Sequence, residues 1–142
     1  MMEKVLLVDD EKEFLEIMAE RMGARDMDVT TTTSPKEALK KAQEESYDAV
    51  ILDLMMPEMD GLETLKKLKK KNPDLQVILL TGHATVQKGV EAMKLGATDL
   101  LEKPADLKIL TEKIKKAHTR KMILVQKKVE EKIRHILAEK GW

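Results

Sequence analysis

Five side chains lie at or just past the ends of short apolar runs, and together they could do chemistry. They are Asp9 and Asp10 after Val5-Leu6-Leu7-Val8, Asp53 within Ala49 to Leu54, Thr81 after Val77 to Leu80, and Lys103 after Asp99 to Glu102. Taken singly, most have an ordinary reading. The acidic Asp9-Asp10-Glu11 cluster before a helix favours the helix dipole, Thr81 before Gly82 can cap the next helix, and Lys103 can be a surface lysine. Asp53 is harder to place, because it sits in Ile51-Leu52-Asp53-Leu54-Met55-Met56-Pro57, where a charge is costly unless paired or bound to a cation. Gathered on one rim, three carboxylates would repel one another, and a hard divalent cation such as Mg²⁺ neutralises such a set through oxygen ligands. A carboxylate beside a bound metal is a competent nucleophile toward phosphorus. The ammonium, hydroxyl and metal can neutralise the oxygens of a phosphoryl group in transfer.

The elements needed to bring these residues together are visible in the apolar pattern. Val5 to Val8 is continuous rather than alternating, as expected for a strand covered on both faces. Phe14, Leu15, Met18, Ala19 and Met22 follow at helical spacing and stop at Gly23. A weaker strand with β-branched threonines, Val29 to Thr32, suits an edge. Ser34 and Pro35 read as N-cap and first helical residue, with Glu37 completing a capping box, and Ala38, Leu39 and Ala42 face inward. The third strand is Ala49 to Leu54. Pro57 and Asp60-Gly61 break the chain before a helix marked by Leu62, Leu65 and Leu68 and closed by Asn72-Pro73. Val77 to Leu80 is the fourth strand, and Val86, Val90, Met93 and Leu95 lie on the fourth helix, with Gly96 as its left-handed stop. Asp99 to Glu102 is a short fifth strand, and helix resumes after Pro104. Five strand-helix units in alternation imply an α/β fold: a doubly wound, five-stranded parallel sheet of flavodoxin-like (βα)5 type. In such sheets ligands bind beyond the carboxyl ends of the strands.

Composition narrows the function classes. The 142 residues contain no cysteine, which removes thiolate catalysis, Cys-ligated zinc and disulfide switching. His83, His118 and His135 have no metal-ligand spacing. No apolar run approaches the ~20 residues of a membrane span, and no signal-peptide pattern opens the chain, so the expected location is cytoplasmic. Lysine and arginine balance aspartate and glutamate at 26 each, but unevenly: residues 1–60 hold 16 acidic and 7 basic side chains, and the remainder 10 and 19. The run Lys66-Lys67-Leu68-Lys69-Lys70-Lys71 has no interleaved aromatics or arginines, so it reads as a solvated helix face, not a nucleic-acid patch. Met18, Met22 and Met93 read as core filler.

The ordered set Asp9-Asp10, Asp53, Thr81 and Lys103-Pro104 on five strand-helix units resembles the receiver (CheY-like) domain of two-component response regulators. The stretch from Thr81-Gly82-His83 to Lys103-Pro104 is most similar to NtrC-type receivers. The resemblance implies that Asp53 is the phosphoacceptor. It further implies that Asp10 ligates Mg²⁺ directly, that Asp9 acts largely through water, and that the Met55 carbonyl completes the protein ligands. Thr81 and Lys103 would contact the phosphoryl group, and the peptide before Pro104 would be cis. The implied donor is a phosphohistidine on a sensor histidine kinase or phosphotransfer protein. The output face would be helix four, strand five and helix five. Such a protein modifies itself and turns over no external substrate. Leu100 stands where many receivers carry Tyr or Phe, so aliphatic repacking takes the place of a rotating ring. An apolar Met55 orients no attacking water, which implies a phosphoryl lifetime that is not short, and His83 is either a surface residue or a lid.

These features divide the chain into a receiver, 1–118, and a C-terminal helical extension, 119–142. Leu107, Leu110, Ile114 and Ala117 face inward, His118 to Lys121 interrupt the stripe, and Met122, Val125, Val129, Ile133 and Ile136 resume it. Such a stripe needs burial, in a parallel homodimer helix, by folding back, or in a linker to an output domain that is absent here. NtrC-type receivers usually continue into an ATPase and a DNA-binding helix pair, and no P-loop is present. Two alternatives to a signalling switch acting through protein contacts therefore stand. One is the receiver fragment of a sigma-54-type transcriptional activator. The other is a Mg²⁺-dependent aspartyl phosphohydrolase, which would usually need an aspartate where Met55 lies.

Overall fold

Continuous apolar strands have no face to offer water, so each must be covered twice, and the chain does this with helices on both sides of one sheet. The computed structural model describes residues 2–54, 56, 60–82 and 86–141. Met55, Pro57, His83 and the Val86 side chain lie outside them. The elements run β1 (Lys4–Val8), α1 (Lys12–Gly23), β2 (Asp28–Thr32), α2 (Pro35–Glu44), β3 (Ala49–Leu52), α3 (Gly61–Lys71), β4 (Val77–Thr81), α4 (Val86–Lys94), β5 (Asp99–Glu102) and α5 (Leu107–Glu139). All pairings are parallel, in the order β2-β1-β3-β4-β5, which is the flavodoxin-like arrangement expected, with β2 at an edge.

Alternate residues of each strand feed two cores. Leu6, Val8, Val50, Leu52, Val77 and Leu79 pack with Ala38, Leu65, Leu68 and Ala92 of α2, α3 and α4. Val5, Leu7, Ala49, Ile51, Ile78 and Leu80 pack with Leu15, Met18 and Met22 of α1 and Leu110, Ile114 and Ala117 of α5.

Several local expectations need correction. Ser34 caps α2 by accepting from the Glu37 N–H at 3.2 Å, but its own N–H donates to Thr32 Oγ1 at 3.1 Å, while Glu37 pairs with Lys41. The capping box is thus only half formed, because a threonine at the strand end reaches the cap first. On α4, Val90 and Met93 are half exposed, and the inward positions are Gly89 and Ala92. The small residues face the sheet because the strand beneath supplies the bulk: a Cβ on Gly89 would lie 3.0 Å from Leu100 Cδ2. Leu95 falls beyond the end of α4, whereas Gly96, at φ 98°, stops it as expected. Ala97 N–H donates to Ala92 O and Gly96 N–H to Met93 O, the paired bonds of a Schellman close. Within the lysine run Lys69 is not a solvated side chain. Its ammonium donates to the carbonyls of Pro73 (2.5 Å) and Leu75 (3.0 Å), and its burial lowers its pKa.

The helix α5 is one continuous 33-residue helix, without a break at residues 118–121. No helix among the described residues, α5 included, is long and apolar enough to cross a membrane. Residues 118–121 anchor the helix to the amino edge of the sheet. Asp48, 6% exposed, accepts from the Lys4 N–H at 2.7 Å, lies 2.6 Å from His118 Nδ1, and has Lys121 Nζ at 3.6 Å. Farther along, Lys128 pairs with Asp74 at 2.5 Å, and between these anchors Leu124 and Val125 line a cleft of about 190 Å³ beside Tyr47 and Leu75.

One glycine is required by contact. A Cβ on Gly61 would lie 2.3 Å from Leu54 Cα and 2.6 Å from the Asp53 carbonyl oxygen, so α3 begins against the backbone that follows β3. Gly61→Ala is expected to cost about 2 kcal/mol in chemical denaturation and to shift the Asp53 amide resonance, because backbone rather than a side-chain tip must move. Asp48 carries a pH signature. Burial alone would raise its pKa, but the Lys4 N–H, His118 and Lys121 outweigh burial and hold it below its ordinary 3.8. A carboxyl lowered by folding contributes stability in full above its ordinary pKa and loses it as pH falls through the folded value. Asp48→Asn should therefore be less stable than wild type by about 1 to 2 kcal/mol at neutral pH. In urea titrations the gap should close as pH drops below 3.8.

Candidate functional site

The site is built by register. Val8 pairs with Leu52 across β1 and β3, so the next residue of each strand, Asp9 and Asp53, emerges at the same level of the carboxyl edge. Backbone bonds hold that level: the Asp53 N–H donates to Val8 O at 3.1 Å and the Asp9 N–H to Thr32 O at 3.2 Å. On the other flank Thr81 pairs with Glu102, and the Lys103 N–H donates to Thr81 O at 2.8 Å. This crevice between β1 and β3 is the place where the strand order reverses and where doubly wound sheets bind ligands.

The side chains converge there. Asp9 and Asp53 are 2% and 5% exposed, and Thr81 is fully buried at the end of β4. Asp10 and Glu11 are exposed beside them, and one carboxylate oxygen from each of Asp9, Asp10, Glu11 and Asp53 lies within 4.8 Å of the others. The Lys103 ammonium lies 2.7 Å from Asp9 Oδ2, 3.4 Å from Glu11 Oε1 and 3.4 Å from Asp53 Oδ2. The Lys103-Pro104 peptide is cis, as the resemblance implied. Met55 and His83 lie outside the described residues.

Electrostatics follow from this crowding. Burial raises the pKa of Asp9, and the Lys103 and Glu11 N–H hydrogen bonds offset only part of that effect. Burial alone would lower Lys103, but its hydrogen bond to Asp9 and the charges of Asp9, Asp53 and Glu11 outweigh it, so its pKa is raised and the ammonium is firmly protonated. Among the described residues, four carboxylates face one ammonium, which leaves an excess of negative charge in a pocket of hard oxygen donors. That is the chemistry of a Mg²⁺ or Ca²⁺ site, and the cluster fits a receiver metal site.

The reading of the acidic cluster as a helix cap fails at Glu11. It is the N-cap of α1 but makes no side-chain cap bond, and its carboxylate lies beside Lys103 instead. Phe14, a core residue by its helical spacing, also reaches the site: its ring centroid lies 4.2 Å from the Lys103 ammonium. The available signal was its place one helical turn after the acids, at the start of α1.

The sequence is 36% identical over 113 residues to the transcriptional regulatory protein ZraR of Escherichia coli K12, covering 80% of this chain and 26% of ZraR, so the chain spans about a quarter of that relative. Among solved structures, the beryllofluoride-activated NtrC4 receiver domain dimer superposes with a TM-score of 0.79 at 33% identity, covering 84% of this chain and 99% of that one. A response regulator from Burkholderia pseudomallei, with a phosphorylated aspartic acid, a calcium ion and citrate, gives 0.75 at 26% identity, covering 98% and 86%. The family profile for the response regulator receiver domain matches residues 5–115. The chain therefore belongs to the response regulator receiver domains, the phosphorylation-controlled switches of two-component signalling, which are typically not conventional enzymes.

Proposed function

We propose that Asp53 is the phosphoacceptor of this switch and that its donor is the phosphohistidine of a sensor histidine kinase or phosphotransfer protein. The observation that carries the reading is the buried Asp53 carboxylate within the acidic cluster, with the only ammonium of the crevice among the described residues 3.4 Å away. An Asp53 oxygen attacks phosphorus, the P–N bond to the donor imidazole breaks, the imidazole leaves with the bonding pair, and an acyl phosphate forms. Asp9, Asp10, Asp53 and the Met55 carbonyl would hold Mg²⁺, which when bound supplies neutralising charge to the carboxylates and to the phosphoryl oxygens. Lys103 already faces Asp53 and would pair with the new phosphoryl group. The Thr81 hydroxyl would hydrogen-bond to it, drawing in the chain after β4. The signal then passes to the surface of α4, β5 and α5, where Val90, Met93 and Ile109 are exposed and Leu100 packs against Gly89. The Burkholderia regulator, with its phosphorylated aspartic acid and calcium ion, and the beryllofluoride-activated NtrC4 receiver support this reading by likeness. In the presence of Mg²⁺ and phosphoramidate, intact mass is expected to show a single phosphoryl adduct that is absent in Asp53→Asn. No adduct, or continuous phosphate release from many substrates, would overturn the assignment and favour a phosphohydrolase.

A second reading concerns residues 119–142 as an extension to the 1–118 receiver. Met122, Val125, Val129, Ile133 and Ile136 form an exposed stripe, each 41 to 52% accessible. Their steps of three, four, four and three place 122 above 133 and 125 above 136, an eleven-residue repeat that lets two nearly straight helices stay in contact. The stripe is the seam of a parallel homodimer, and the dimer of the NtrC4 receiver domain is in keeping with it. The likeness to ZraR, a transcriptional regulatory protein, favours transcriptional control as the output. Light scattering should show a dimer for wild type and a monomer for Val129→Glu/Ile133→Glu, with receiver stability unchanged. A wild-type monomer both with and without phosphodonor would remove the dimer reading.

A further inference from the structure

Lys103 is held by more than the carboxylates. Its ammonium has Asp9, Glu11 and Asp53 at 2.7 to 3.4 Å on one side, and the side chain as a whole is 14% exposed. On another side it meets the face of Phe14, the single phenylalanine of the chain, with the ring centroid 4.2 Å from Nζ. That distance lies well within the reach at which an aromatic face attracts a cation, and the attraction grows as water is excluded. The ring is itself fixed. Phe14 sits in the first turn of α1, half-buried against the core formed with Leu15, Met18 and Leu110, alongside Ala105 and Leu107 from the segment that follows Lys103. The same short stretch, residues 9–14, therefore supplies two of the three carboxylates around the ammonium and also the ring.

The two kinds of contact respond differently when the site is used. Asp9 and Asp53 oxygens engaged by a divalent cation are no longer available to Lys103, and the added positive charge repels the ammonium. The ring face donates no oxygen to the metal, so this contact survives, together with the one to the exposed Glu11. We propose that Phe14 is a positioning residue for Lys103: its ring keeps the ammonium at the mouth of the acidic crevice after Asp9 and Asp53 have been taken by the metal, ready for the incoming phosphoryl oxygens. The inference rests on the phosphoacceptor reading for its purpose, while the position of the ammonium can be measured without phosphorylation.

A proton above an aromatic face is shifted upfield, so the Lys103 Hε resonances, assigned by their loss in Lys103→Met, report the contact directly. In lysine-labelled protein they should be upfield both without metal and at saturating Mg²⁺, revert to ordinary values in Phe14→Leu, and remain upfield in Phe14→Tyr. In the phosphoramidate reaction at saturating Mg²⁺, Phe14→Leu should slow adduct formation about 3- to 10-fold. Phe14→Tyr should restore most of the rate, and Phe14→Leu should change nothing in a Lys103→Met background. Collapse of the upfield shift on adding Mg²⁺ would overturn the inference, as would an equal slowing by Phe14→Leu in the presence and absence of Lys103. The resonance measurement uses no phosphodonor, so it stands or falls separately from the role of Asp53.

Discussion

The parallel register between β1 and β3 is the constraint on which the site depends. A slip of one residue would exchange the faces of β1, sending Leu6 and Val8 to the side now held by Val5 and Leu7, and would lift Asp9 away from Asp53. Because the two strands are buried on both faces, that slip is costly, and the hydrophobic cores fix the spacing of two charged groups they never touch. The close seat of Gly61 against Leu54 and Asp53 adds a second restraint from the helix side. The acidic edge thus inherits its geometry from apolar packing, while its charge is left unbalanced.

That imbalance gives meaning to the neutral total charge. Among the described residues, the acidic first part of the sequence contributes Asp9, Asp10, Glu11 and Asp53 to the crevice, and the basic remainder returns one ammonium to it, Lys103. Other lysines of the later half are engaged elsewhere: Lys69 with the carbonyls after α3, Lys113 with Asp99, Lys121 and Lys128 with the amino edge of the sheet. A half-buried cluster with this excess of carboxylates favours proton uptake or metal binding, and at Asp9 burial works in the same direction by raising the pKa.

The strands and their order of succession were legible because uninterrupted apolar runs have few other destinations, and with them came the convergence of Asp9, Asp10, Asp53 and Lys103. The face of α4 was not. Val90 and Met93 carry the strongest apolar signal, yet Gly89 and Ala92 turn inward, because a helix lying close over Leu100 has room for hydrogen and methyl only. Periodicity reports where large side chains repeat, whereas packing distance decides which side they take. Lys69 was hidden among identical neighbours whose environments differ by a turn of helix. Asp48 carries a legible sign: an acid placed immediately before a strand covered on both faces must find partners, and it finds the Lys4 N–H from β1 and, from α5, the His118 ring and the Lys121 ammonium at ion-pair distance.

Those two partners on α5 have a mechanical consequence. A helix of 33 residues is about 50 Å long, and roughly 30 Å of it lies beyond His118. A tilt of about 10° about Asp48 stretches the exposed Lys128–Asp74 pair and carries the far end through roughly 5 Å, while the residues beside Ala117 move by a fraction of an ångström. The rod converts a slight reorientation of the domain into a displacement the size of a side chain, delivered far from the aspartates and on the opposite edge of the sheet.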